Sequence, residues 1–506
     1  MEVTPGAADR PRRRGAAADR PDAVVVGGGV AGLVAARELA RAGLAVVVLE
    51  ASAQVGGAVG RHTVAGLDLD AGAESFATRG GVVAALADEL GLGGTVTAPA
   101  ALGAWVQLAS GPGTLPRAGL LGVPVDPWAP DVRRTIGVAG ALRAGADRLL
   151  PARVGAGAGA TFGSLVRARM GRRVLDRLVA PVVGGVHAAD PSTLDVRTIA
   201  PGLLPALAER GSLAAAVASL RALAPAGAAV GGLVGGMHTL VDALVEDLTA
   251  HGGQVRTGTG VTSLTRSGRG WTVCVSGPDG ETTLTAARLV LAAPAAVTVD
   301  LLAPVLPELA GVRTDPGADV VLATLVLDEP ALDRAPRGTG VLVSPAAQNA
   351  RGRGAVRAKA LTHATAKWPW LAERAGPGRH VLRLSFGRAD EAGTTQDVAG
   401  LSPAELEALA LRDAATLLGV PLGPAQVVGS ARVRWSQSLP RASAAHRASV
   451  DAVRTAVEGQ PGLEVCGAWV AGNGLAAVVP HARAAGRRLA ATGTVRGDAG
   501  EGRETS

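Results

Sequence analysis

The spacing of apolar positions changes along the chain, and each change marks an element. Ala23–Val26 is an unbroken apolar run of strand length. From Val30 to Ala42 the apolar residues fall at helical spacing, with Leu33, Ala36 and Leu39–Ala40 on one face. Leu44–Leu49 reads as a second apolar strand and ends in Glu50. The chain therefore opens as strand, turn, helix, strand. Residues 82–91 form an amphipathic helix closed by Gly91. From about 125 to 220 the pattern is mainly helical, interrupted by Pro and Gly. Ala226–Gly236 reads as a Gly-rich joint. Residues 254–300 read as strands, with a hairpin turning at Pro278-Asp279-Gly280. Residues 318–390 mix strands with loops. Residues 402–418 form a helix with Ser402 as N-cap and Glu405 in the capping-box position. There is no internal repeat.

Two uncharged stretches are long enough to test as membrane spans, Leu90–Pro116 and Ala222–Val241. Each carries at least five glycines and a proline, so both read as loops joining shorter elements. Residues 1–21 hold five arginines and three prolines without an apolar run, which reads as a disordered basic tail. Arg12, Arg13 and Arg14 invite a twin-arginine export reading, but no hydrophobic segment follows before Asp22.

Composition narrows the function. Of 506 residues, 48% are hydrophobic and 18% charged, so a large core can be buried. Seven Trp, three Phe and no Tyr leave too few aromatic platforms for a single-stranded nucleic-acid surface, and no nucleic-acid partner is expected. The net charge of +7 rests on arginines spread along the whole chain; Lys359 and Lys367 are the two lysines. Arginines in that number offer forks for carboxylates. Cys274 and Cys466 cannot build a disulfide framework or a zinc site, so no metal is expected. Both read as buried thiols, and a cytoplasmic location is expected, with peripheral membrane contact as its variant.

The chemical signal is concentrated in residues 22–52. Gly27, Gly29 and Gly32 give the G-x-G-x-x-G spacing directly after a strand and before a helix. The first glycine permits the turn, the second lets a pyrophosphate approach the backbone, and the third allows helix–strand packing. The helix N-terminus adds free N–H groups and a positive dipole. Glu50, 18 residues after Gly32, can accept hydrogen bonds from ribose hydroxyls. A bound adenine dinucleotide is expected. Gly56–Gly57 and the DLDAGAES stretch that follows resemble the continuation found with tightly bound FAD in glutathione-reductase-like folds. The strand, glycine turn and helix of residues 462–490 resemble the second flavin contact of such enzymes, with Asn473–Leu475 facing the cofactor.

A series of motifs in order gives a more specific resemblance: GAESFATRG at 72–80, LPRAGLLGVP at 115–124, the stretch 162–201 containing APVVGGVHAAD, then GGLVGGMHTLVDAL and AKALTHATAKWPW. From about Asp22 to Ala490 the chain resembles the flavin-dependent protoporphyrinogen/coproporphyrinogen oxidases, within the flavin amine oxidase group. It departs from them at Arg441 and Ala442, where a tyrosine is usual, at His187, and at Ala58, where a basic residue is often found.

The resemblance implies an α/β fold: a discontinuous FAD-binding Rossmann-like domain (22–100, 231–305 and 435–494), a substrate and helical subdomain (101–230), an α+β substrate domain (306–434), and tails at 1–21 and 495–506. It implies non-covalent FAD held by Gly27, Gly28, Gly29, Val30, Ala31, Gly32, Glu50, Ala51, Gly57, Ala58, Gly72, Ala73, Glu74, Ser75, Val261, Trp435, Asn473, Gly474 and Leu475. The implied reaction removes six electrons and six protons from a porphyrinogen, with O2 as oxidant and hydrogen peroxide as product, in haem biosynthesis. Flavin N5 does the chemistry, so no catalytic side chain is assigned. Arg79, Lys367 and Arg61 are candidates for holding substrate propionates. His187 and His446 are candidate proton carriers, against an ordinary structural role for each. The absence of a hydrophobic anchor and the many basic residues favour coproporphyrinogen III over protoporphyrinogen IX. Transient contact with neighbouring haem-pathway enzymes is expected. Two alternatives stay open: another oxidoreductase of the same fold, such as a desaturase or amine oxidase, and a non-catalytic flavin-binding scaffold.

Overall fold

Successive residues of a strand point to opposite faces of its sheet, and in the first strand both faces are apolar. Ala23 and Val25 enter one buried cluster while Val24 and Val26 enter another. A strand covered on both sides has no polar face, which is why β1 (Ala23–Val26) reads as an unbroken apolar run. The computed structural model describes residues 20–492 apart from 117, 188, 223–229, 269, 316, 349–354, 388–397 and 440–443.

β1 is the centre of a five-stranded parallel sheet. In spatial order its strands are Gln254–Arg256, β2 (Val46–Leu49), β1, Arg288–Leu291 and Leu463–Val465. The sheet thus draws on both ends and the middle of the chain. One face is covered by α1 (Val30–Arg41), His238–Ala250 and Leu475–Ala491. The other is covered by an antiparallel meander (Gly260–Ser267, Gly270–Gly277, Gly280–Ala286) and by helices Ala295–Leu302 and Ala444–Glu458. Leu33, Val34 and Leu39 of α1 are fully buried, each worth about 1.5–3 kcal/mol. The second strand starts at Val46 rather than Leu44, because Leu44 and Ala45 still belong to the turn that leaves α1.

A seven-stranded sheet forms the second layer, in the order Val427–Leu439, Ala318–Asp328, Arg379–Phe386, Ala360–His363, Gly340–Val343, Trp105–Leu108, Gly111–Thr114. Helix Pro403–Leu418 packs against it, and the Ser402/Glu405 capping box forms as its spacing predicts. Strand Trp105–Leu108 runs parallel to Gly340–Val343, so residues 105–114 join the sheet built from 318–439. The helices between Pro130 and Ala222 enclose a core of their own.

Within the Gly-rich joint the structure holds a strand, Val230–Leu233, between Phe76–Ala77 and Val96–Thr97. Its glycines are there for close packing. A Cβ on Gly231 would come 3.0 Å from the Phe76 ring, and one on Gly232 would come 2.6 Å from Trp368.

Candidate active site

Val26, Leu291 and Val465 are in register at the C-terminal ends of three parallel strands. The loops that follow them therefore share one edge of the sheet, where open α/β sheets bind their ligands. Gly27 turns there with φ +105°, and a Cβ on it would come 2.7 Å from Ala292 O. A Cβ on Gly32 would overlap Gly27 O, so α1 can pack on its own turn only with glycine at 32. Gly29 differs from both. Its nearest neighbour would be Gly57 Cα at 3.9 Å, so the space in front of it is open. That bare surface fits a pyrophosphate. Gly29 is also the N-cap of α1, with no side-chain cap, and helix Leu475–Ala491 starts after Asn473 and Gly474 in the same uncapped way. Both helix N-termini therefore keep backbone donors for an anion. Val30 and Ala31 form the first turn of α1 and are buried.

Glu50 closes the loop. Its Oε2 accepts from Gly28 N–H at 2.7 Å, and its Oε1 accepts from the Ser52 N–H and hydroxyl, each at 2.8 Å. Each carboxylate oxygen has two acceptor sites, so Oε2 keeps one for a ribose hydroxyl. Gly56 N–H donates to Gly28 O at 2.8 Å and sets Gly57 against Gly29. Thr259 N–H donates to Glu50 O, which brings Gly260 to Ala51 and places Val261 one residue further along that strand.

A second wall joins the first. Ala73 N–H donates to Ala58 O at 2.8 Å, and Trp435 Nε1–H donates to Ala71 O at 2.9 Å. The Trp435 ring stands 3.3 Å from a Cβ position on Gly72 and 3.6 Å from one on Gly60. The structure thus brings Gly57, Ala58, Gly72, Ala73 and Trp435, distant in sequence, onto one wall that continues from the glycine loop.

Beyond that wall lies an ion cluster that motif reading missed. Glu74 Oε1 accepts from Lys367 Nζ and its Oε2 from Arg383 Nη1, each at 2.6 Å. Arg383 Nη2 also donates to Gly72 O at 2.6 Å. Burial alone would raise the Glu74 carboxyl, but the Lys367 and Arg383 charges and hydrogen bonds outweigh it and hold it at about 2. The signal for Arg383 was a charge inside the apolar strand RHVLRLSF, which placed it without saying what it meets. Ser75 follows Glu74 and is half-buried. Nearby, burial and then the Arg383 charge push His62 down to about 4, and its buried ring nitrogens have no hydrogen-bond partner among the described residues. Asp70 accepts from Met237 N–H and His238 N–H and lies 3.0 Å from His238 Nδ1.

The three expected propionate ligands differ in their surroundings. Lys367 is half-buried and engaged with Glu74. Arg61 is exposed, 3.6 Å from Asp242. Arg79 is exposed in the short turn Arg79–Gly81, with no ion pair among the described residues. His446 Nε2 lies 2.9 Å from Trp469 O. Arg441, Ala442 and the His187 side chain lie outside the described residues. Cys466 is buried beneath Ala31 O, and burial pushes its thiol up to about 12, which makes it inert. A cavity of about 500 Å³ is bordered by Trp105, Thr114 and Leu115 on the side of the seven-stranded sheet and by Asp131 and Arg134 of the helical unit; its lining includes none of the expected cofactor residues.

Comparison with known proteins agrees with this geometry. Residues 30–492 match the family model of the flavin containing amine oxidoreductases. The chain is 30% identical to the coproporphyrinogen III oxidase of Mycobacterium leprae (strain TN), over 92% of this chain and 97% of that one. It is 28% identical to the chloroplastic protoporphyrinogen oxidase of Oryza sativa subsp. japonica, over 95% and 90%. The crystal structure of a protein from Exiguobacterium sp. 255-15 shares the fold, with a TM-score of 0.76 at 24% identity over 94% of this chain and 99% of that one.

Proposed function

The chain belongs to the flavin-containing amine oxidoreductase family, and from that premise we propose that it oxidises coproporphyrinogen III to coproporphyrin III, using FAD and O2, in haem biosynthesis. The observation that carries the reading is the near full-length similarity to a coproporphyrinogen III oxidase. Six electrons and six protons leave each substrate and reduce three O2 to three hydrogen peroxide. Bound FAD supplies the hydride acceptor and its reoxidation by O2.

The protein's part is to bind, orient and exclude water. The bare backbone at Gly29 and the N-terminal N–H groups of α1 and Leu475–Ala491 would take the pyrophosphate. Glu50 would take the adenosine ribose. The wall of Gly57, Ala58, Gly72, Ala73 and Trp435 would carry the ribityl chain and ring system. Lys367 and Arg383 are committed to Glu74, and in this reading they hold the 72–75 segment in place. Arg79, which has no ion pair among the described residues, would take a propionate. An arginine paired with a carboxylate that coproporphyrinogen has, and protoporphyrinogen replaces by vinyl, would favour the tetracarboxylate.

Each porphyrinogen is prepared anaerobically and mixed with the purified yellow protein. Coproporphyrinogen III bleaches the flavin, air restores the colour, and porphyrin fluorescence rises. A higher kcat/KM for protoporphyrinogen IX overturns the substrate assignment. Failure of both porphyrinogens to bleach the flavin overturns the reaction.

A further inference from the structure

Two neighbouring strands of the seven-stranded sheet each place a histidine in the interior, and the two rings meet. His363 closes Ala360–His363 and His380 stands near the start of Arg379–Phe386. They are 0% and 6% exposed, and His363 Nε2 lies 3.0 Å from His380 Nδ1. Buried Thr365 brings its hydroxyl oxygen to 3.2 Å from the same Nδ1. On the far side of the ring, His380 Nε2 lies 3.0 Å from Asp333 Oδ1, which also accepts from Gly378 N–H at 3.3 Å. An ionised carboxylate only accepts, so it fixes the His380 proton on Nε2 and leaves a lone pair on Nδ1.

Protons alone satisfy this cluster poorly. With the His363 proton on Nε2, two donors compete for one lone pair, and the His363 Nδ1 lone pair is buried with no partner among the described residues. With that proton on Nδ1, two lone pairs face each other across 3.0 Å. A cation between them removes the conflict. Two imidazole nitrogens on a tetrahedral zinc ion stand about 3.3 Å apart, so a small rotation of one ring seats it. The neutral imidazole is the form that ligates, and burial holds both rings below their ordinary 6.5. Asp333 behind His380 is the carboxylate that such a ligand usually has at its other nitrogen. Among the described residues no three His, Cys, Asp or Glu side chains converge on one metal position, so the Thr365 hydroxyl and water would complete the set. Space for that water exists: Asp333, His363, Thr365 and His380 all border one cavity of about 200 Å³. Arg379 borders it too, but its guanidinium is engaged with both oxygens of Asp328, at 2.8 and 3.0 Å. A site of this kind needs no cysteine, which is why the two thiols gave no sign of it.

We propose that His363 Nε2 and His380 Nδ1, with Thr365 beside them and Asp333 orienting His380, bind a divalent transition-metal ion of the zinc class. The occupied site would staple together the two strands that lead to Lys367 and carry Arg383, the cations on Glu74. The inference is independent of the porphyrinogen reading. The test is calorimetric titration of Zn2+ alone into untagged, chelator-treated, FAD-loaded protein at neutral pH. One ion should bind per chain, and Zn2+ should raise the Tm of the wild type. His380→Gln should weaken binding at least tenfold and abolish the Tm rise. Asp333 is half exposed, so Asp333→Asn tests the site should His380→Gln not fold, and a loss of about tenfold or more is expected of it. Absence of Zn2+ binding by the metal-free wild type overturns the proposal. Binding of equal strength in the wild type and in the folded variants overturns it as well, since the ion would then sit elsewhere.

Discussion

Glu74 and Arg383 stand 309 residues apart in sequence, and their carboxylate and guanidinium meet at 2.6 Å. Lys367 closes on the other oxygen of the same carboxylate. The pairing ties the segment beside the glycine loop to the seven-stranded sheet. Because the folded carboxyl lies near 2, below its ordinary 4.5, its contribution to stability is complete above pH 4.5 and is lost as pH falls from 4.5 towards 2. That contribution is on the order of 3 kcal/mol. Glu74→Gln leaves two cations facing one neutral amide, and a loss of about 3–5 kcal/mol is expected at neutral pH. Denaturant unfolding at several pH values checks both points: the variant should be flatter than wild type below pH 4.5.

Gly29 and Gly32 separate binding from folding. The Cβ of Gly29→Val meets nothing closer than the Gly57 backbone at 3.9 Å, so the protein should fold, yet the new side chain enters the space in front of the loop. The variant should purify colourless with wild-type far-UV circular dichroism. Gly32→Ala forces a Cβ into Gly27 O and should fail in folding before binding can be measured. A Gly29→Val protein with a full complement of FAD would remove this loop from the cofactor site.

Glu50 accepts from the Gly28 N–H and, in the proposed reading, would also take the adenosine ribose. Glu50→Ala should weaken FAD binding by about 1–3 kcal/mol, the range for a charge-assisted hydrogen bond. The measurement is the FAD dissociation constant of the reconstituted apoprotein. An unchanged constant would move the ribose contact elsewhere.

Arg79 is the substrate-side candidate left without an ion pair among the described residues. Arg79→Ala should slow coproporphyrinogen III more than protoporphyrinogen IX and shrink the kcat/KM ratio roughly tenfold, about 1.4 kcal/mol. Equal slowing of both substrates would leave Arg79 without a part in selection.

His363 is fully buried, with Nε2 3.0 Å from His380 Nδ1, and His380 Nε2 lies 3.0 Å from Asp333. Burial, then the His380 charge, push His363 down to about 3. Its folded value lies below the ordinary 6.5, so its contribution is complete above pH 6.5 and is lost progressively as pH falls towards 3. His363→Gln should remove part of the acid sensitivity between pH 6.5 and 4.5, above the range in which Glu74 acts. Identical pH profiles of Tm for wild type and variant would contradict the assignment.

The sequence by itself determined the local parts of this protein. The apolar run at Ala23–Val26, the helical spacing after Val30 and the Ser402/Glu405 box are short-range patterns, and the dihedral and packing preferences behind them act within a few residues. The glycine loop was legible for the same reason, since Gly27 must turn with a positive φ and Gly32 answers to Gly27 O five residues before it. The strand at Val230–Leu233 was not, because its glycines answer to Phe76 and Trp368, far away in the chain. Only the tertiary structure decided that Lys367, expected at a propionate, meets Glu74, and that Arg383 joins them. A buried charge takes the partner that packing brings within hydrogen-bond reach, and that partner has no fixed distance in sequence.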